Sequence, residues 1–227
     1  ITMKKKYLKW SKEDLISEIE KLNKRKKYGL VWEENSEDVV VQCKEEIPIL
    51  VDDKNKEILS DENLPFNLII EGDNYHGLSV LNYTHKKKID IIYIDPPYNT
   101  GASDWKYNNK YVDENDQWRH SKWISFMNNR LKLAKNLLSK DGVIIIAIDN
   151  NELGSLSLLL DEIFPEKIKN IVTIIHNPHG VSGGGFSRCH EYAIFLLNKN
   201  QIINKKKVTE DLRTINLRRS GNNSLRS

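Results

Sequence analysis

Apolar positions are sparse in the first third of the chain. Leu15, Ile16, Ile19 and Leu22 recur at helical spacing behind Ser11, which can cap, and predict an amphipathic helix over residues 11–28. A stripe of this kind more often docks on its own domain than on a partner. Residues 33–64 are charged and irregular around one apolar island, Ile47 to Val51, and read as a connecting segment. Organised patterning starts after Pro65. Leu68 to Ile70 suit a short strand and residues 74–84 a helix, while Ile89 to Ile94, apolar and β-branched almost throughout, predict a strand buried on both faces. Ser121 is placed to cap a helix whose core stripe is Ile124, Met127, Leu131, Ala134 and Leu138. Asp141 and Gly142 then turn into a strand from Val143 to Ile148, a helix spans 151–164, and strands follow at Ile171 to Ile175 and Ala193 to Leu197. Alternating strands and helices predict an α/β domain with a mainly parallel, doubly wound sheet.

Two stretches break the alternation. Residues 99–120 are polar yet carry Trp105, Tyr107, Tyr111 and Trp118, and residues 177–188 hold Gly180, Gly183, Gly184 and Gly185. Loops this long inside a compact domain serve function or move. The aromatic residues of the first suit packing and ligand stacking equally. The glycines of the second lack the G-x-G-x-x-G spacing of a phosphate-cradling turn, so a loop near the substrate is the better reading. The chain therefore divides into an N-terminal helix with connecting segment (1–64), a core (65–200) and a polar, basic tail (201–227).

Composition narrows this picture only a little. A chain of 227 residues without evident repeats suits one such domain with appendages. The net charge is +3, and Lys and Arg gather in runs such as Lys24 to Lys27 (with Arg25), Lys86 to Lys88 and Lys205 to Lys207. Such runs are ordinarily solvated surface, and the mild total lends only slight support to binding of a nucleic-acid phosphate backbone. Cys43 and Cys189 suggest no disulfide framework. No apolar stretch reaches the length of a membrane span, and the first ten residues lack the pattern of a signal peptide, so a cytoplasmic protein without membrane contact is expected. His176, His179, Cys189 and His190 could offer four metal ligands, but their spacing matches no closed zinc pattern and no metal is expected.

The sharpest chemical signal is the sequence IDIIYIDPPYNTG, residues 89–101. In open α/β sheets ligands sit beyond the carboxyl ends of the strands, where Asp95 falls. Pro96 and Pro97 have no N–H, and each pushes its predecessor toward extended geometry. The result is a rigid corner that offers the Asp95 carboxylate and nearby carbonyls as acceptors beside the Tyr98 ring. A planar group with N–H donors fits it, and the exocyclic amine of a nucleobase is such a group. Its lone pair is delocalised into the ring until acceptors draw its hydrogens out of plane. The base must first leave the duplex, and an aromatic face replaces part of the stacking it loses.

Asp95-Pro96-Pro97-Tyr98 resembles the DPPY motif of amino-group DNA methyltransferases. The runs LIIEGDNYHGLSVLNYTHKKKIDIIYIDPPYNTG, HSKWISFMNNRLKLAKNLLSKDGVIIIAIDNNE and NPHGVSGGGFSRCHEYAIFLLN, with KKYGLVWE before them, are similar to the modification subunit of type III restriction–modification systems. The resemblance implies a Rossmann-like class I methyltransferase sheet in circularly permuted order and transfer of a methyl group from S-adenosylmethionine to N6 of a flipped adenine. Carried over by motif, Asp95 and the Pro96 carbonyl would accept the N6 hydrogens, with Pro97 and Tyr98 completing the catalytic motif and the Tyr98 ring stacking on the base. Asp95 also lies where the family's cofactor amino group approaches. Asp73 would accept a bond from the cofactor's adenine amine, with the Asn74 N–H beside it, although an Asp in this position also suits a helix cap. Asn99, Thr100 and Gly101 would shape the substrate rim, and Asp149 would serve the substrate side or cap the next helix.

The implied partners are double-stranded DNA, a second modification subunit in a homodimer, and a restriction subunit with helicase and nuclease functions. The family's F-x-G-x-G cofactor loop lies far downstream, after the target-recognition region, and nothing in these residues matches it. The motif-I half of the sheet is therefore expected to be missing, the tail to lead toward an absent recognition region, and this chain to be inactive alone. N4-cytosine methylation poses the same chemical problem and is the alternative within this chemistry. A non-catalytic DNA-binding or assembly module is the alternative outside it. A nicotinamide-dependent oxidoreductase is disfavoured, because the dinucleotide fingerprint is missing.

Overall fold

The structure, a computed structural model, describes residues 10–24, 30–33, 36–57, 67–175, 178, 180 and 186–203. The candidate metal ligands His176 and His179, the glycines 183–185 and nearly all of the tail lie outside the described residues. Five α-helices are present among them: α1 (Lys12–Lys24), α2 (Asp38–Glu45), α3 (Asn74–Thr84), α4 (Arg119–Leu137) and α5 (Leu153–Ile163). The strands are β1 (Ile89–Ile94), β2 (Ala102–Tyr107), β3 (Lys110–Asp113), β4 (Leu138–Ile148), β5 (Ile168–Ile175) and β6 (His190–Leu197). No helix among the described residues is long and apolar enough to cross a membrane.

Four strands form one sheet in the order β1-β4-β6-β5. Only β1 and β4 run parallel, joined by a crossover through α4; β6 lies antiparallel to both its neighbours. The expected mainly parallel sheet is thus a mixed one. The reason is geometric: β5 and β6 form an antiparallel pair, and β6 folds back between β4 and β5 without a covering helix of its own.

One face of the sheet carries the core. Ile144, Ile146 and Ile148 of β4 and Ile194 and Leu196 of β6 point to it, and Trp123, Met127 and Leu131 of α4 and Leu156, Leu159 and Leu160 of α5 meet them in a single apolar cluster. α4 packs against both α5 and α3. The other face is more open. In β1, Ile92 and Ile94 pack against the core, whereas Ile91 and Tyr93 are each 65% exposed, so this strand is not buried on both faces. An edge strand with helices on one side alternates in burial whatever its composition.

Further local expectations are corrected. Leu68 to Ile70 carry no strand pairing, since among the described residues no neighbouring strand supplies a ladder. The helix expected from Ser121 begins at Arg119 behind Trp118, and its N-cap makes no side-chain bond. Residues 99–120 include the antiparallel hairpin β2/β3, and residues 33–64 include α2. The hairpin turns on Asn108 and Asn109, both at positive φ, the geometry that two-residue hairpin loops require. Trp105, Tyr107 and Val112 point from it into the core. Its tip reaches back to α2: Asn108 Oδ1 accepts from the Asp38 N–H at 2.9 Å and Asn108 Nδ2 donates to the Ser36 carbonyl at 3.1 Å. The aromatic residues at 105 and 107 are therefore packed residues.

Candidate active site

The Asp95–Asn99 corner leaves the carboxyl end of β1, as the sequence predicts for a ligand-facing position. Asp95 is exposed and Pro96 is buried. The corner is pinned from below by two indoles. Trp123 Nε1 of α4 donates to the Pro97 carbonyl at 2.6 Å, and Trp105 Nε1 of β2 donates to Asn99 Oδ1 at 3.1 Å. Asn99 is 1% exposed and sits at φ 57°, in the left-handed region that Asn tolerates better than most residues. Two residues on, Gly101 has φ 88°, and a Cβ there would lie 2.7 Å from Glu114 Cβ, so the rim requires glycine. Thr100 is exposed, and its hydroxyl oxygen accepts from the Ala102 N–H at 3.4 Å.

Tyr98 lies half-buried against the core, and its hydroxyl donates to Glu191 Oε2 of β6 at 3.3 Å. Burial, followed by the charges of Asp95 and Glu191, pushes the ionisation of this phenol far above its ordinary range, so it stays a neutral donor. Asp149, at the end of β4, is buried and accepts from the Asn151 N–H at 2.8 Å, from Asn151 Nδ2 at 2.7 Å and from Arg188 Nη1 at 3.1 Å. Burial raises its carboxyl above the ordinary value, while the Asn151 bond and the Arg188 charge oppose that rise. Asp149 closes the turn after β4, and the residue at the start of α5 is Glu152.

Asp73 caps α3. Its Oδ1 accepts from the Tyr75 N–H at 2.7 Å and from Arg130 Nη2 at 3.3 Å. Asn74 opens the helix, where main-chain N–H groups have no intrahelical partner. Beside them is a cavity of about 280 Å³ walled by Cys43 of α2, Ile47 to Leu50, Ile70 to Asp73, and His76, Gly77 and Val80 of α3. α4 ties this cavity to the corner. Trp123 holds Pro97 and Arg130 holds Asp73, and seven residues are two helical turns, roughly 10 Å along one face. The guanidinium of Arg130 lies 3.6 Å over the Phe126 ring and pairs with the buried Glu37 at 2.9 Å.

No sequence motif marks the contacts that Trp123, Arg130, Glu152, Arg188 and Glu191 make at the site. Arg130 left a signal, because a cation on the apolar stripe of α4, between Met127 and Leu131, implies a buried partner. Glu191 left none, since its approach to Tyr98 depends on the fold-back of β6.

Residues 89–223 match the family model described as DNA methylase. Over 125 residues the chain is 46% identical to the probable type III restriction-modification enzyme HindVI Mod subunit of Haemophilus influenzae, covering 55% of this chain and 16% of that protein. It is 34% identical over 178 residues to the type III restriction-modification enzyme EcoPI Mod subunit of Escherichia phage P1, covering 67% and 27%. It is also 38% identical over 126 residues to the type II methyltransferase M.KpnI of Klebsiella pneumoniae, covering 54% and 30%. Among solved structures, the M1.HpyAVI–SAM complex is similar over 61% of each chain, with TM-score 0.39 and 16% identity. The chain thus spans less than a third of the length of these curated relatives.

Proposed function

The chain belongs to the DNA methylase family, whose model it matches over more than half its length, and on that premise we propose that it carries the catalytic corner of a site-specific adenine-N6 DNA methyltransferase. The observation that carries this reading is the division of acceptors at the corner. Trp123 occupies the Pro97 carbonyl, whereas among the described residues no donor meets the Pro96 carbonyl, and the Asp95 carboxylate is exposed beside it. These two acceptors take the amine hydrogens, and the Tyr98 ring backs the flipped base.

S-adenosylmethionine, when bound, supplies a methyl group activated by a sulfonium. The residues present fit its adenosine end: the cavity beside Asp73 has an apolar wall at Ile47 to Leu50, a carboxylate and the first N–H of α3, in a volume suited to part of a cofactor. Asp73 accepts from the adenine amine through the oxygen that Tyr75 and Arg130 leave open, with Asn74 beside it. Asp95 localises the lone pair of the target amine and takes up the proton that the amine sheds. Exposed Thr100 lies on the substrate rim, while Asn99, expected there from the motif, is buried with both side-chain polar atoms engaged and shapes that rim from beneath.

Coverage of less than a third of each type III relative supports a larger working unit. In it, further polypeptide supplies the motif-I strands beside β1 in a circularly permuted order, together with the target-recognition region. On this reading residues 1–64 support the core, 65–200 form it and 201–227 lead onward. That unit acts on double-stranded DNA in the cytoplasm as a homodimer with a restriction subunit. The test is methyl transfer from labelled cofactor to duplexes, followed by digestion to nucleosides. Label in N6-methyladenosine is expected; label in N4-methylcytidine would replace the base assignment, and no label from the full-length protein would overturn the function.

A further inference from the structure

Behind the corner lies a buried carboxylate. Glu152, at the start of α5, is 0% exposed, and its Oε1 lies 2.5 Å from both Asn99 Nδ2 and His120 Nδ1. Among the described residues no donor meets its Oε2. Enclosing a carboxylate with one oxygen unpartnered is costly, and an apolar residue would fill the same space more cheaply. The group is therefore explained by what it holds. It holds Asn99, whose side chain is fully engaged: Oδ1 accepts from Trp105, and Nδ2 donates to Glu152 and, at 3.4 Å, to the Arg119 carbonyl. Asn99 directly follows Tyr98, and its left-handed backbone sets the direction in which the corner leaves.

We propose that Glu152 is a positioning residue of the methyl-transfer site. It fixes the Asn99 side chain and, through the Asn99 backbone, holds Tyr98 and the Pro96–Pro97 corner in the geometry that receives the base. The role rests on the methyltransferase reading above. His120 brings the start of α4 to the same oxygen, so one carboxylate joins α4, α5 and the corner. A small displacement here is transmitted to groups that must be placed within a fraction of an ångström.

A donor–acceptor swap tests it. Asn99→Asp sets two carboxylates against each other. Adding Glu152→Gln reverses the contact, because the new amide at 152 donates to the new carboxylate at 99, which still accepts from Trp105. In the ¹⁵N-labelled 227-residue chain the Trp105 indole N–H resonance reports on Asn99. It is expected to move in Asn99→Asp and in Glu152→Ala and to return toward wild type in the swap. In the full-length methyltransferase, Asn99→Asp lowers kcat by roughly 10²-fold, the swap recovers it to within about tenfold, and KM for S-adenosylmethionine stays within about twofold. Additive losses in the swap, or an unmoved Trp105 resonance in Glu152→Ala, overturn the proposal. Should Glu152→Ala fail to fold, the swap pair alone decides. If the wild type transfers no methyl group, the functional reading falls, and the resonance still decides whether Glu152 governs Asn99.

Discussion

Asp95 is exposed at a strand end and contributes nothing to the apolar cluster, so Asp95→Ala is expected to leave melting behaviour nearly unchanged. Loss of one preorganised acceptor should lower methyl transfer on the order of 10²-fold or more. Undiminished turnover at wild-type stability would remove Asp95 from the mechanism. Tyr98 has two assets, a ring and a hydroxyl that reaches Glu191. The ring matters more, because stacking is worth about 1–3 kcal/mol per base, so Tyr98→Phe should bind a duplex with a mispaired target better than Tyr98→Ala. Equal damage would make the hydroxyl's contacts with Glu191 and Asp95 the principal role. Asp149 gives a pH signature. Its folded carboxyl titrates above the ordinary value of 3.8, so the folded state holds a proton that the unfolded state has already released. The stability this adds is present below the unfolded value and fades as pH rises through the folded one. Asp149→Asn should flatten that limb of the stability–pH curve, and an unaltered limb would mean that other groups set it. At this scale the sequence was legible where a residue's chemistry is local, as with the proline corner. It was silent on Glu152 and Glu191, whose roles depend on partners 53 and 93 residues away.

Elements were legible when their pattern was self-contained. The helix at 74–84 and the strand at 89–94 stand where periodicity put them, because each sets a partly buried stripe against a neighbour that is present. The hairpin was missed although the signal existed: Asn108-Asn109 is a turn dipeptide between the inward residues Trp105, Tyr107 and Val112, and the outward lysines and Tyr111 masked the alternation. Leu68 to Ile70 failed for the opposite reason, since strand propensity does not create a partner. α4 is the element on which the cavity and the corner both depend. Arg130→Met would leave Glu37, 4% exposed, as an uncompensated buried charge and should destabilise the fold by about 3–5 kcal/mol in denaturant titration. Adding Glu37→Gln should recover much of that loss. No recovery would mean that Arg130 acts chiefly by packing on Phe126.

Across the whole molecule, the one-sided core separates a protected layer from an open one. Among the described residues β1 pairs only with β4, so half of its main-chain groups face an open edge. Amide exchange is expected to be slow in β4, flanked on both sides, and markedly faster at the outward N–H groups of β1. Equal protection in the two strands would show that the edge is covered in solution. The position of β6 has a further consequence, for the order of events in folding. β4 pairs with it across roughly fifty residues of chain, and among the described residues β5 has no other strand neighbour, so these four strands remain in unconnected pieces until β6 arrives. On a ribosome adding about 5–20 residues per second, that leaves the apolar edge of β4 open for seconds after it emerges. Docking of β6 is thus the event that joins these strands, and the interval before it leaves an unpaired strand edge open to chaperones and to aggregation.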